Sequence, residues 1–175
     1  MNAPTNIRAA TVADVPALLH LAGVCIASMR AAGIEQWDEL YPNAEIIKHD
    51  IAAGSLDVLC EGDAVIACIT VDQQLDPLWE GLDWSTNSEP AAAVHRLMVH
   101  PSQQRRGLAK QLMLHAETVA HQRGCRSIRL DTFLNNAGAM ALYPGLGYRR
   151  TGAAMMRKGD FAGFEKWCLA STPDS

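Results

Sequence analysis

Residues 94–109 read Val94-His95-Arg96-Leu97-Met98-Val99-His100-Pro101-Ser102-Gln103-Gln104-Arg105-Arg106-Gly107-Leu108-Ala109. The first six residues have the character of a strand, and Pro101 sits in a turn. From Leu108 onward Leu112, Met113, Ala116, Val119 and Ala120 recur at helical spacing as far as Gly124. A strand that feeds a glycine turn and then a helix has a chemical consequence. The first N–H groups of a helix lack intrahelical acceptors and stand at the positive end of its dipole. A glycine there lets an anion come close to the backbone, and Arg105 and Arg106 add charge suited to phosphate. The unit therefore predicts a phosphate or pyrophosphate site. It matches neither G-x-x-x-x-G-K-[ST] nor G-x-G-x-x-G, which excludes a P-loop and a dinucleotide fingerprint.

Downstream, Ser127–Phe133 alternates as a strand, with Ile128, Leu130 and Thr132 on one face and Arg129, Asp131 and Phe133 on the other. A short helix is expected over Ala137–Leu142, broken early by Pro144-Gly145 and Gly147, with strands near Tyr148–Met156 and Phe164–Leu169 and a frayed tail over 171–175. Upstream, a strand over Asn6–Ala10 leads into the capping box Thr11-Val12-Ala13-Asp14. A helix follows with Val15, Leu18, Leu19, Ala22, Ile26 and Met29 on its buried face, fading at Ala31-Ala32-Gly33. A second helix opens at Asn43, buries Ile46, Ile47 and Ile51, and is capped by Gly54. Leu56–Glu61 and Ala64–Val71 form a hairpin through Gly62-Asp63, and the uniformly apolar second strand suits one covered on both faces. The nineteen residues Asp72–Pro90 hold five carboxylates, Trp79 and Trp84, and no Lys or Arg. A loop that long inside a compact domain is usually functional or disordered, and the tryptophans argue for order.

The chain of 175 residues is 49% hydrophobic and 19% charged, which excludes a disordered or collagenous chain and suits one domain with a substantial core. The uncharged run Val15–Met29 falls short of the roughly 20 residues that span a bilayer, and no basic segment precedes it, so neither membrane insertion nor secretion is expected. Five scattered cysteines with no C-x-x-C or zinc spacing point to reduced, buried thiols in the cytoplasm and to no metal. Residues 31–95 carry thirteen acids and Lys48, a net −12, whereas residues 96–175 carry a net +7. Either the two halves neutralise each other or an acidic side faces a cationic ligand and a basic side a polyanionic one. With a net charge of −4 and no basic stripe carrying aromatics, nucleic acid is not an expected partner.

The run Gln104-Arg105-Arg106-Gly107-Leu108-Ala109 resembles the acetyl-CoA pyrophosphate motif [QR]-x-x-G-x-[GA] of the GCN5-related N-acetyltransferase (GNAT) superfamily. Residues 95–101 are similar to that family's central strand. Asn136-Ala137-Gly138-Ala139-Met140-Ala141-Leu142-Tyr143 is similar to its Asn-x-x-Ala-x-x-Leu-Tyr helix, and Leu146-Gly147-Tyr148 stands where it has Leu-Gly-Phe. The resemblance implies a single α/β domain over 1–170 with a mixed, mostly antiparallel sheet of six or seven strands and about four helices. Strands 94–99 and 127–133 would be parallel and joined by the 107–123 helix. It implies acetyl-CoA as co-substrate. Leu97, Met98 and Val99 would run beside the pantetheine arm, and Arg105, Arg106, Gly107, Leu108, Ala109 and Lys110 would cradle the pyrophosphate. Asn136 would bond near the thiol end, and Tyr143 would protonate the departing thiolate.

A phenol of pKa about 10 can donate to an alkyl thiolate of comparable basicity. For the base that frees the amine, Asp131 stands five residues before Asn136, where ribosomal-protein N-terminal acetyltransferases of the same superfamily place a glutamate. His95 is a rival, as is water leading to Glu35, Asp38 or Glu39. No cysteine or serine sits in a nucleophile setting, so the amine would attack the thioester directly in a ternary complex. Glu35, Trp37 and Asp38, from a region that helps form the acceptor pocket in the superfamily, together with Trp84, would meet the acceptor. The expectation is a small cationic amine. A peptide or protein acceptor, a catalytically silent acyl-CoA sensor, and a homodimer stay open.

Overall fold

The computed structural model describes residues 4–85 and 87–168. Its seven strands are β1 (Thr5–Ala9), β2 (Leu56–Glu61), β3 (Ala64–Asp72), β4 (Ala91–Val99), β5 (Ser127–Phe133), β6 (Arg149–Met156) and β7 (Gly159–Trp167). The four α-helices are α1 (Val15–Ala31), α2 (Ala44–Ala52), α3 (Leu108–Gln122) and α4 (Ala137–Gly145). The strands form one mixed sheet in the order β1-β2-β3-β4-β5-β7-β6. The pairs β1–β2, β2–β3, β5–β7 and β6–β7 are antiparallel, and β4–β5 is parallel, as expected. The chain forms two compact units. One takes residues up to Thr70 and His95–Met113, and the other takes Val71–Val94 and residues from Leu114 on.

In the first unit the capping box forms, with the Thr11 N–H donating to Asp14 Oδ2 at 2.7 Å. It starts a single 3₁₀ turn, Val12–Asp14, that runs into α1. Leu18, Leu21, Ala22 and Cys25 of α1 join Ile47, Leu56, Val58, Cys68 and Met98 in the core. The buried stripe is turned slightly from the expected one: Leu19 is exposed and Leu21 lies inside. With the 3₁₀ turn, Val12–Ala31 is long and apolar enough to cross a membrane, which corrects the length argument above. The stripe Leu18, Leu21, Ala22 and Cys25 instead serves the core of this unit. The Asn43 side chain caps α2 by accepting from the Ile46 N–H at 3.0 Å. Asp50 intrudes on the apolar face of α2 and is only 2% exposed. The hairpin turns at Gly62, and β3 is buried from Ile66 to Val71.

In the second unit the parallel register runs from Ala91↔Ser127 to Ala93↔Arg129, and β5 pairs along its length with β7. Within the long loop the 3₁₀ turn Pro77–Trp79 forms, and Trp79, Leu82 and Trp84 make a buried cluster with Ala93. α4 does not break at Pro144. It continues to Gly145, with Pro144 in its last turn. The missing proline N–H costs one intrahelical bond at a point where the helix is about to end. The stop is Gly147 at φ +88°, with Tyr148 N–H donating to Tyr143 O and Gly147 N–H to Pro144 O, both at 3.0 Å. The same left-handed glycine stop closes α1 at Gly33, α2 at Gly54 and α3 at Gly124. The expected tail over 171–175 lies outside the described residues.

Candidate active site

In the first unit, a 3₁₀ turn over Pro101–Gln103 leads to Arg105 at φ +62° and Gly107 at φ +76°, and α3 starts at Leu108. The first intrahelical bond of this turn is Gln111 N–H to Gly107 O, 3.0 Å. The N–H groups of Leu108, Ala109 and Lys110 therefore precede any intrahelical acceptor. A Cβ on Gly107 would project into open space. Arg105 and Lys110 are exposed. Arg106 is committed locally: its guanidinium bonds Gln103 Oε1 and forms an ion pair with Glu61 at 2.7 Å. Helix-end donors, an uncovered glycine and two exposed cations fit a diphosphate group.

Leu97 and Val99 of β4 are half-buried, whereas Met98 is 2% exposed and its side chain lies in the core. Met98 can meet a ligand through its main chain alone. Cys25 Sγ donates to Val99 O at 3.4 Å. Burial pushes the Cys25 thiol up to about 11, so it is protonated and no nucleophile. His95 is half-buried.

Arg96 holds a left-handed backbone, φ +51°, within the strand. Its Nε and Nη2 donate to Asp50 Oδ2 at 2.7 and 2.6 Å, and its Nη1 donates to Tyr41 Oη at 2.7 Å. Asp50 Oδ2 also accepts from Thr70 Oγ1 at 3.0 Å. The sequence reading missed this cluster. Its signal was Asp50, a lone acid among Ile46, Ile47 and Ile51, since a buried carboxylate requires a partner.

Glu35, expected to meet the acceptor, and Glu39, named with it as an end of the water chain, face Arg30 at 3.8 and 2.8 Å. Asp38 is buried, and its Oδ1 accepts from the Leu40 N–H at 3.0 Å. Trp37 packs against the core.

In the second unit, Tyr143 on α4 is buried against Phe164 and Tyr148, with ring centroids 5.4 and 6.0 Å away. Burial, aided by the charge of Asp131, pushes its hydroxyl well above the ordinary phenol range, so it keeps its proton at any working pH. Asn136 Oδ1 caps α4, accepting from the Ala139 N–H at 3.2 Å. Asp131 Oδ2 accepts from the Trp79 indole Nε1–H at 2.6 Å.

Leu130 stands opposite Phe164 and Asp131 opposite Gly163 in the β5–β7 register. Cross-strand partners share a face and neighbours alternate. Tyr143, against Phe164, and Asp131 therefore flank β5 from opposite faces of the sheet. Trp84 is 9% exposed, donates its indole N–H to Trp79 O at 2.8 Å and lies against Arg129, 4.8 Å from the guanidinium. It fills the loop's interior and offers little surface to an acceptor. Among the described residues there is no cluster of metal-ligating side chains.

The model of the Acetyltransferase (GNAT) family matches residues 25–148. GCN5-related N-acetyltransferase 4, chloroplastic, of Arabidopsis thaliana is 36% identical over 85 residues, 49% of this chain, and the match spans 29% of that protein's length. A GNAT-family acetyltransferase from Streptococcus agalactiae 2603 superposes with TM-score 0.82 at 22% identity, covering 95% of this chain and 97% of the other. The PaiA N-acetyltransferase from Thermoplasma acidophilum, crystallised with coenzyme A, gives 0.72 at 18% identity over 94% and 99%.

Proposed function

The chain belongs to the GNAT acetyltransferase family, and on that premise we propose that it moves an acetyl group from acetyl-CoA to a small amine by direct attack. The pyrophosphate would lie on the N–H groups of Gly107, Leu108, Ala109 and Lys110, with Arg105 alongside, and the pantetheine arm beside Leu97, Met98 and Val99. Coenzyme A in the Thermoplasma relative supports the choice of co-substrate. Asn136 would orient the thiol end through its side chain.

The observation that carries the reading is the placing of Asp131 and Tyr143 on opposite faces of β5. An amine reaching a thioester as its ammonium ion must lose a proton on the side of approach, and the thiolate must gain one on the side of departure. Asp131 takes the first proton and Tyr143 supplies the second. Asp131 is preferred to His95 because Asp131 lies on β5 and Tyr143, on α4, packs against the opposite face of the same strand pair, which gives the two a defined relation.

The acceptor proposed is a cationic small molecule, drawn to the acids of residues 31–95. Glu35 and Glu39 contribute less to that attraction than their number suggests, because Arg30 stands between them. The test is release of coenzyme A from acetyl-CoA with polyamines, amino acids, aminoglycosides and short peptides, with Asp131→Asn and Tyr143→Phe in parallel. Turnover with one small amine, lowered at least about tenfold by either substitution, is the expected result. Turnover with peptides alone would assign the acceptor to that class. Tight acetyl-CoA binding without turnover on any amine would make the chain a sensor.

A further inference from the structure

We propose that Trp79 is the positioning residue for Asp131: its indole N–H fixes the carboxylate that takes the proton from the acceptor amine, so the long loop is part of the catalytic apparatus. The proposal rests on the assignment of Asp131 as base. Its own observations are geometric. Trp79 is 2% exposed and spends its one polar atom on Asp131 Oδ2, fifty-two residues away in the chain, at 2.6 Å. A buried indole needs an acceptor, and a carboxylate held at one oxygen loses its freedom to rotate.

The loop is built to hold that indole still. Asp76 Oδ1 accepts from the Leu78 N–H at 2.9 Å and caps the turn that carries Trp79. Trp84 donates back to Trp79 O. Ser85 donates through its N–H and its hydroxyl to Glu165 Oε2, at 2.8 and 2.7 Å. Directly opposite Asp131 in the register stands Gly163, and a Cβ there would come within 2.6 Å of Leu82 Cδ1 and 3.3 Å of Trp84 Cη2. The strand beside the carboxylate thus lacks a side chain where the loop sits down.

Charged and titratable groups come to the surroundings of Asp131 from α4, β5 and β7. Tyr143 of α4 stands on the other face, its hydroxyl raised in part by the charge of Asp131. On the Asp131 face, Arg129 of β5 is paired with Glu165 of β7 at 3.0 Å. The loop brings the indole and no Lys or Arg.

Two measurements test the proposal. The four tryptophans give four indole signals in a ¹H–¹⁵N spectrum of the free protein, and that of Trp79 is identified by its loss in Trp79→Phe. It should move with pH through one inflection in the carboxylate range and stay flat in Asp131→Asn. A signal that is flat in the wild type, or titrates alike in both, overturns the pairing; if Trp79→Phe folds poorly, the Trp79 signal is assigned by elimination from Trp37→Phe, Trp84→Phe and Trp167→Phe.

In the second arm, with the acceptor found by coenzyme A release, Trp79→Phe should lower kcat about tenfold and raise the acid limb of kcat/KM by about one pH unit. KM for acetyl-CoA should stay within about twofold, since Trp79 is not among the residues proposed to hold the co-substrate. Full activity in Asp131→Asn overturns the base assignment and the role of Trp79 with it. An Asp131→Asn enzyme that loses activity, beside a Trp79→Phe enzyme with an unchanged profile, overturns the role of Trp79 alone.

Discussion

Tyr143 and Asp50 show what burial does to a single polar group in two settings. Tyr143 is neutral, so its desolvation raises its pKa and leaves the proton in place. Tyr143→Phe should lower kcat by about 10- to 100-fold with KM for acetyl-CoA nearly unchanged, because the ring that packs on Phe164 and Tyr148 remains. The wild-type rate should show no alkaline limb from Tyr143 below about pH 10, and a pH–rate profile would check it. Asp50 is charged and lies inside with Arg96, whose side chain is 10% exposed. Removing one partner strands the other. Asp50→Ala or Arg96→Met should each cost about 3–5 kcal/mol of unfolding free energy, measured by urea denaturation. The double substitution should cost less than the sum of the two, since no charge is then left alone.

At the scale of elements, the start of α3 and the long loop make separate demands. Gly107 holds φ +76° with nothing near its Cβ position. Gly107→Ala should therefore strain the backbone by about 1 kcal/mol while leaving the core unmoved. If the diphosphate approaches these N–H groups as proposed, the methyl group should raise KM for acetyl-CoA about tenfold and change kcat little. Gly163→Ala makes the opposite split, because its added Cβ would meet both Thr151 Oγ1 of β6 and Leu82 Cδ1 and so shift the loop: kcat should fall and KM for acetyl-CoA hold.

The start of α3 was legible in the sequence because a glycine, two arginines and a helix onset are local signals. The role of the loop was not. Nothing within Asp72–Pro90 says that Trp79 will find Asp131 or that Trp84 will find Trp79 O, since those are contacts of fold. Proline was over-read in α4. Pro144 marked a break in the sequence, yet the backbone stop lies at Gly147, whose left-handed φ closes the last turn. Arg96 and Asp50 were legible in part, as an acid out of pattern on α2, but its partner lies forty-six residues away and only the fold brings it near.

Across the whole molecule, the division of charge between the halves is spent partly on itself. Glu61 takes Arg106, Asp83 takes Arg149 and Glu89 faces Arg126, so three acids of the first half meet bases of the second. These are surface pairs and stabilise little. Two inner carboxylates matter more, one in each unit. The Arg8 guanidinium holds Asp14 well below the usual carboxylate range, helped by the Thr11 N–H. Glu165 is raised by burial, but hydrogen bonds from Ser85 and Arg129 outweigh that and leave it lowered.

A carboxylate depressed on folding adds stability above its unfolded pKa and loses it as pH falls through the folded value. Unfolding free energy should thus be level from neutral pH to about pH 5 and decline below about pH 4. Asp14→Asn should flatten part of that decline, read from urea midpoints taken along the pH series. What the internal pairs leave unneutralised is the charge available to an acceptor. If a cationic amine is drawn to it, kcat/KM should fall several-fold between about 50 and 500 mM salt while kcat stays level, because screening slows the encounter and leaves the proton transfers at Asp131 and Tyr143 untouched. A neutral acceptor of the same size, turned over with no salt dependence and equal kcat/KM, would remove charge from the recognition and leave shape to do it.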